Sequence, residues 1–250
     1  MIEIENIRNE LNKKFGHIKF DDVPHTYTNT RTNHIYKTSA SAIIENFVEP
    51  FDSKYWSEYK AKQRGVTADV ILAEWKDISD EACRKGSDFH YMCECYYMGI
   101  PWKNEGQVCD KLVNMFNEYV KKIEGKLIHV QSEVVMADDE LDIAGMCDQL
   151  YWSTHRNGLV LFDWKTNKKL ELKSSYNNKM KGIFSYLDDC NYNHYSIQLA
   201  IYKFLIEKNT NLKILDNYIG WFNEKNDEAI LHKCLDLQDI IKQIWHKDVA

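Results

Sequence analysis

Hydrophobic and polar positions follow two rhythms along this chain, one of three to four residues and one of two. Ile4, Ile7, Leu11 and Phe15 recur at helical spacing and predict an amphipathic helix over Ile2 to Phe15. His17 to Phe20 and His25 to Tyr27 read as strand, Asn29 to Asn33 as a polar turn, and His34 to Lys37 as the return, which together predict a β-hairpin. Ser39-Ala40-Ser41 can cap a helix carrying Ile43, Ile44 and Phe47, with Pro50 as its stop.

Ser53 to Gly99 is helical in pattern. Tyr55, Trp56 and Tyr59 open it, Val66 to Trp75 continue it, and Gly65 and Lys76 to Ser79 are the expected breaks. Ser79 or Asp80 then caps a helix bearing Gly86, His90 and Glu94, the last two sharing a face at i, i+4. Gln107 to Ile123 predicts a further amphipathic helix, with Val108, Leu112, Met115, Phe116, Tyr119 and Val120 inward.

The two-residue rhythm returns in Leu127 to Met136; Ile143 to Trp152 and Leu159 to Thr166, which opens on the apolar run Leu159 to Phe162, also read as strands, joined by the turns Ala137 to Glu140 and Ser153 to Gly158. Loops this short predict an antiparallel meander. Gly145 leaves room for a close approach. Lys168 to Asn191 is polar and irregular, Tyr192 to Lys208 is a helix, and Leu212 to Asn223 and Glu228 to Cys234 are strands. Leu237 to Trp245 is expected to form a terminal helix. No repeat or linker interrupts the chain.

Composition narrows the class. With 44% hydrophobic and 28% charged residues, the 250-residue chain reads as globular and long enough for one large core. It has no apolar run of about 18 residues, so no membrane partner is expected. The start, Met1 to Asn6, does not have the pattern of a signal peptide. Seven cysteines without CxxC spacing suggest reduced thiols and a cytoplasmic setting, that of a bacterial host if the chain is phage-encoded. The net charge of −6 argues against a uniformly basic surface but leaves room for a local basic strip. Lys165, Lys168, Lys169, Lys173, Lys179 and Lys181 form such a strip.

Candidate chemistry concentrates at Asp163-Trp164-Lys165-Thr166. On a strand, Asp163 and Lys165 project together, with Trp164 on the other face. Asp148 lies in the neighbouring strand and Glu133 in the one before it. Acids beside a lysine suit metal-assisted phosphodiester cleavage: carboxylates hold a hard divalent cation, and the lysine orients water and offsets phosphate charge.

The ordered set Gly86-x3-His90-x3-Glu94, Glu133, Gly145-x2-Asp148, Asp163-x-Lys165-Thr166 and Gln198-x3-Tyr202 resembles the RecB-like exonuclease branch of the PD-(D/E)XK nuclease superfamily. His25-Thr26-Tyr27 through Ile35-Tyr36-x-Thr38-Ser39 and Ile43-Ile44 is similar to the opening of its phage-type and mitochondrial genome-maintenance exonucleases. The resemblance spans residues 20–208.

It implies an α/β (α+β) fold: a restriction-endonuclease-like core with a central mixed β-sheet flanked by helices, plus an N-terminal helical extension. One nuclease unit over 1–250 is expected, with a mostly helical part, 39–125, roofing the site and the catalytic core at 126–235. Asp148 and Asp163 would be the main metal carboxylates, Lys165 the catalytic lysine, His90 a ligand or its neighbour, and Glu133 an accessory acid. The backbone carbonyl near Trp164 would join the metal shell, and the Trp164 ring would be core. Gln198 and Tyr202, with Lys168, Lys169 and Lys173, would contact DNA. The implied cofactor is Mg²⁺ or Mn²⁺, one or two ions. The cysteine triplet of iron–sulfur members is missing and no GxxxxGK[ST] stretch occurs, so neither a cluster nor ATP is expected.

The activity implied is a metal-dependent DNA exonuclease acting from a free end in recombination, replication or repair. A homo-oligomer or a single-strand-annealing or replication partner is compatible with it. An endonuclease of the same fold and an inactive DNA-binding or assembly protein are the alternatives. Tyr55, Trp56, Tyr59 and Trp75 either stack on bases from the roof or pack between helices. A roof closed into an arch would demand a free end.

Overall fold

The computed structural model describes residues 2–245. A central mixed sheet is flanked by helices on both faces and preceded by an N-terminal helix, the fold class expected. Helix α1 (Ile2–Phe15) buries Ile7, Leu11 and Phe15 against that core. Strands β1 (Ile18–Asp21), β2 (Thr26–Asn29) and β3 (His34–Ile35) make a small antiparallel sheet from the three strand segments expected there.

The main sheet begins with β4 (Thr38–Ser39), which runs straight into α2 (Ala40–Glu45) through the Ser39 N-cap. Helix α2 stops at Glu45 rather than at Pro50, because Phe47 turns away to pack edge-on against Phe184 at 4.9 Å. Strands β5 (Leu127–Asp138), β6 (Ile143–Ser153) and β7 (Gly158–Lys165) form the expected meander. The first of these runs two residues further than expected, since Ala137 and Asp138 still pair with Ala144 and Ile143. Helix α6 (Asn191–Asn209) crosses over to β8 (Ile214–Trp221), parallel to β7, and β9 (Ile230–Lys233) closes the edge. The expected terminal helix is a short α7 (Gln238–Ile241) followed by a 3₁₀ turn, Lys242–Ile244.

Burial divides along the strand period. Leu159 and Leu161 face a core built with α1, α2 and α6, while Val160, Phe162 and Trp164 face a second core. The second core holds α5 (Asp110–Ile123) and the C-terminal part of α4 (Ala68–Met98). A strand covered on both faces must be apolar almost throughout, and Gly158 to Trp164 are all buried.

Helix α3 (Ser53–Arg64) packs on the N-terminal part of α4 and ends at Gly65, the break expected. The break expected at Lys76 to Ser79 is absent: α4 runs unbroken for 31 residues. Ion pairs Lys76–Asp80, Glu81–Lys85 and Arg84–Asp88, each at i, i+4, span the polar stretch. Residues 76–85 are all exposed, so this span of helix stands in solvent on every side.

Candidate metal centre

The site forms where β6 and β7 part. Their last paired rung is Gln149 with Phe162, and the next residue outward on each strand is Asp148 and Asp163. Beyond that rung β7 keeps its partner β8, while β6 is joined on the same edge by the short parallel β4 at Ile143 and Ala144. Strand β5 pairs the other edge of β6, with Ser132 against Gln149 and Val134 against Cys147, which sets Glu133 opposite Asp148. Glu133 holds a left-handed φ of 47°, a conformation that costs a non-glycine residue about 1 kcal/mol or more. Strain of that kind within a strand is a mark of a position held for its side chain.

Helix α4 supplies His90. Its neighbours Phe89, Met92 and Cys93 are buried in the second core and fix the helix against the sheet. The imidazole Nε2–H donates to the Trp164 carbonyl at 3.0 Å, leaving Nδ1 turned toward Asp148 Oδ1 at 3.5 Å. Asp148 Oδ2 in turn accepts from the Trp164 amide at 2.6 Å. Ligand atoms of His90, Glu133 and Asp148 lie within 4.8 Å of one another, a buried group compatible with a metal ion. A histidine whose other nitrogen is tied to a backbone carbonyl is the arrangement that orients metal-binding imidazoles.

Three expected roles shift. The Trp164 carbonyl, expected in the metal shell, accepts from His90. Asp163 stands apart from the three-residue group, its Oδ2 2.5 Å from Lys165 Nζ. Glu133, expected as accessory, belongs to the group itself. Asp163 and Lys165 do project together, toward α6, with Trp164 buried on the opposite face.

The electrostatics follow from crowding acids out of water. Burial first, then the charge of Asp148, pushes the Glu133 carboxyl up to about 8, against the pull of His90. Burial alone would lower His90, yet Asp148 outweighs it and raises the imidazole to about 9. Burial likewise works to raise Asp148, but His90 holds it below the usual carboxylate range. Asp163 rises to about 6 through burial, with Lys165 opposing. Lys165 is raised: the acids Asp163 and Asp148 overcome the burial that would discharge it. Without a cation, then, the cluster keeps Glu133 protonated between an imidazolium and a carboxylate.

Tyr195 of α6 is the residue that periodicity placed only in a helix face. Its ring lies under the Lys165 ammonium, 4.6 Å from centroid to Nζ. It sits one turn before Gln198 and two before Tyr202, the spacing that could have drawn attention to it. Gln198 itself donates to Ser41 Oγ at 3.1 Å. Tyr202, expected to contact DNA, is instead buried in the core against Gly145, where a β-carbon would collide with its ring. Lys168, Lys169 and Lys173 are exposed in the irregular segment after β7, whereas Lys179 and Lys181 are taken by Asp188 and Glu49. Glu94 is half-buried, and its charge adds to the upward shift of Glu133.

No family model and no curated protein matches the chain. Among solved structures, one described as the crystal structure of SSO0001 is 12% identical, with a TM-score of 0.34, over 100% of this chain and 88% of its own. None of the described helices is long and apolar enough to cross a membrane.

Proposed function

We propose that this protein is a metal-dependent deoxyribonuclease that hydrolyses phosphodiester bonds from a free DNA end, in recombination, replication or repair. The observation that carries the reading is the convergence of His90, Glu133 and Asp148 beside the Asp163–Lys165 pair at the parting of β6 and β7. Two carboxylates and one imidazole are a donor set for Mg²⁺ or Mn²⁺, the imidazole suiting Mn²⁺ better. Such an ion, when bound, supplies Lewis-acid stabilisation of charge on phosphate oxygens and lowers the pKa of water.

The protein's own groups do the rest. His90 is aimed by the Trp164 carbonyl, and Asp148 by the Trp164 amide, so both are set by the backbone of one residue of β7. Lys165 keeps its proton through the reaction, since Asp163 holds the ammonium from one side and the Tyr195 ring from another. A permanently charged lysine cannot serve as general base. Its role is to orient the attacking water and to offset charge building on the phosphate.

Support for a free end comes from reading α3 and α4, which pack on each other outside the two cores, as an arch over the site. One foot stands where Phe47 meets Phe184 and Glu49 meets Lys181, and the other where His90 meets Trp164. A closed circle cannot thread such an arch. The test is a Mg²⁺ time course on end-labelled linear DNA, single- and double-stranded, beside a closed circle, with Asp148→Ala as control. Loss of linear substrate with the circle intact is expected, and the label released first gives polarity. Cutting of the circle would replace the reading with an endonuclease. Absence of cleavage with every substrate, or full activity in Asp148→Ala, would remove it.

A further inference from the structure

Glu133 also lies on the wall of a cleft of about 660 Å³, bounded by α1, the last turns of α4 and β5. No strand among the described residues pairs the outer edge of β5, so the cleft runs beside an open strand edge. Depending on the nuclease reading above, we propose that this cleft is a subsite for one or two nucleotides of a single nucleic-acid strand, next to the metal centre.

Its size sets the class of occupant. Pockets of about 300–1,000 Å³ enclose one small ligand. A cleft in that range takes a nucleotide or two and has no room for a duplex.

The lining sets the chemistry. Tyr97 and His129 stand half-buried in the wall, stacked on each other with centroids 4.4 Å apart, and give it a flat, rigid apolar floor against which a base can lie. The Arg8 guanidinium is held at the wall by the carbonyls of Val130, at 2.6 Å, and His129, at 3.2 Å. Paired loosely with Glu5 at 3.8 Å, it brings a positive charge to the wall that a backbone phosphate can share. Asn9, Asn12 and Gln131 also line the cleft, and their amides donate and accept, so they can meet the edge of every base without selecting one. The acids Glu94 and Glu133 belong to the end of the cleft where the cation is expected. An aromatic floor, an anchored guanidinium, neutral amides and acids beside the candidate metal group share one cleft.

Asn9 and Asn12 are exposed on α1, one turn apart, so a large side chain at either position fills the cleft without entering a core. The experiment measures binding of a short fluorescein-labelled oligothymidine by anisotropy, with Ca²⁺ replacing Mg²⁺, for the unaltered full chain, Asn9→Trp and Asn12→Trp. Mn²⁺ affinity and circular dichroism are recorded beside it. Each variant is expected to bind the single strand about tenfold or more weakly, with Mn²⁺ affinity and spectrum unchanged. A blunt duplex of the same length is expected to bind more weakly than the single strand to the unaltered protein. Undiminished binding by both folded variants overturns the subsite, as does failure of the unaltered protein to bind the single strand. If the unaltered protein binds the strand, loses it on plugging and yet cleaves nothing in Mg²⁺, the nuclease reading falls and the subsite stands.

Discussion

Lys165 is the residue whose removal separates chemistry from binding. It touches neither His90 nor Glu133, and its ammonium is spoken for by Asp163 and Tyr195. Lys165→Ala is therefore expected to leave Mn²⁺ and DNA binding unchanged while cleavage falls by about 10²–10³-fold, the usual loss of one preorganised donor to a transition state. Full activity in that variant would mean that the wrong lysine has been chosen. Glu133 makes a second prediction, through its pKa. Its carboxyl titrates near 8 in the fold against an ordinary value of 4.5. The folded state holds that proton more tightly than the unfolded one, so the metal-free protein loses stability as pH rises from about 4.5 through 8. Glu133→Gln should melt above the unaltered protein at pH 8, and the gap should close toward pH 4. A cation displaces this proton and the one on His90, so Mn²⁺ affinity should rise with pH up to about 9, and by one proton less in the variant. Equal melting temperatures at pH 8 would place Glu133 outside the buried cluster. At this scale the acids and the lysine were legible because spacing on a strand fixes which side chains share a face. Which carboxylate joins the histidine was not: that depends on a left-handed residue in β5 and on where two strands part, and neither leaves a mark in composition.

Between elements, the tightest constraint is the packing of α6 on β6. Gly145 has no side chain because the Tyr202 ring occupies the space. Gly145→Ala should destabilise by about 1–3 kcal/mol through overpacking, measured by urea unfolding. Tyr202→Leu, itself destabilising, should make a second Gly145→Ala change cheaper, so the two should couple in a double-mutant cycle. Additive effects would mean that the two residues do not meet. Sequence reasoning saw room at Gly145 and assigned Tyr202 to the DNA; the room is filled from inside. The meander β5–β7 was legible because its turns are short, its first strand alternates and its last opens on an apolar run. Strand β4 was not, since a two-residue strand that pairs across a hundred positions carries no local signal. The false break in α4 has a similar cause. Charged side chains without glycine or proline read as a loop when scored for burial, yet at i, i+4 they hold a helix.

Taken as a whole, the molecule is a well-packed sheet with one part left outside its cores. On the arch, Tyr55, Trp56 and Tyr59 are exposed, Tyr55 and Tyr59 stacked with centroids 6.4 Å apart. Of the two uses sequence allowed for these aromatics, packing between helices does not describe their exposure. Their replacement by alanine together should leave the melting temperature within about 1 °C, as surface changes do. Retention of single-stranded DNA should drop severalfold in the same variant; unchanged retention would leave the arch without a grip on the strand. The unsupported span of α4 gives this arrangement a mechanical side. From Ile71, the last buried residue before it, to His90 is about 28 Å of rigid rod at 1.5 Å per residue. Its His90 end is anchored on the sheet and its Ile71 end only on α3, which makes it a lever with its fulcrum at the imidazole. A tilt of about 2° there moves the far end by about 1 Å. A load on the far end reaches the ring that faces Asp148 with no buried contact between, so on the nuclease reading proposed above, tension in a bound strand and the alignment of that ring would be one coordinate.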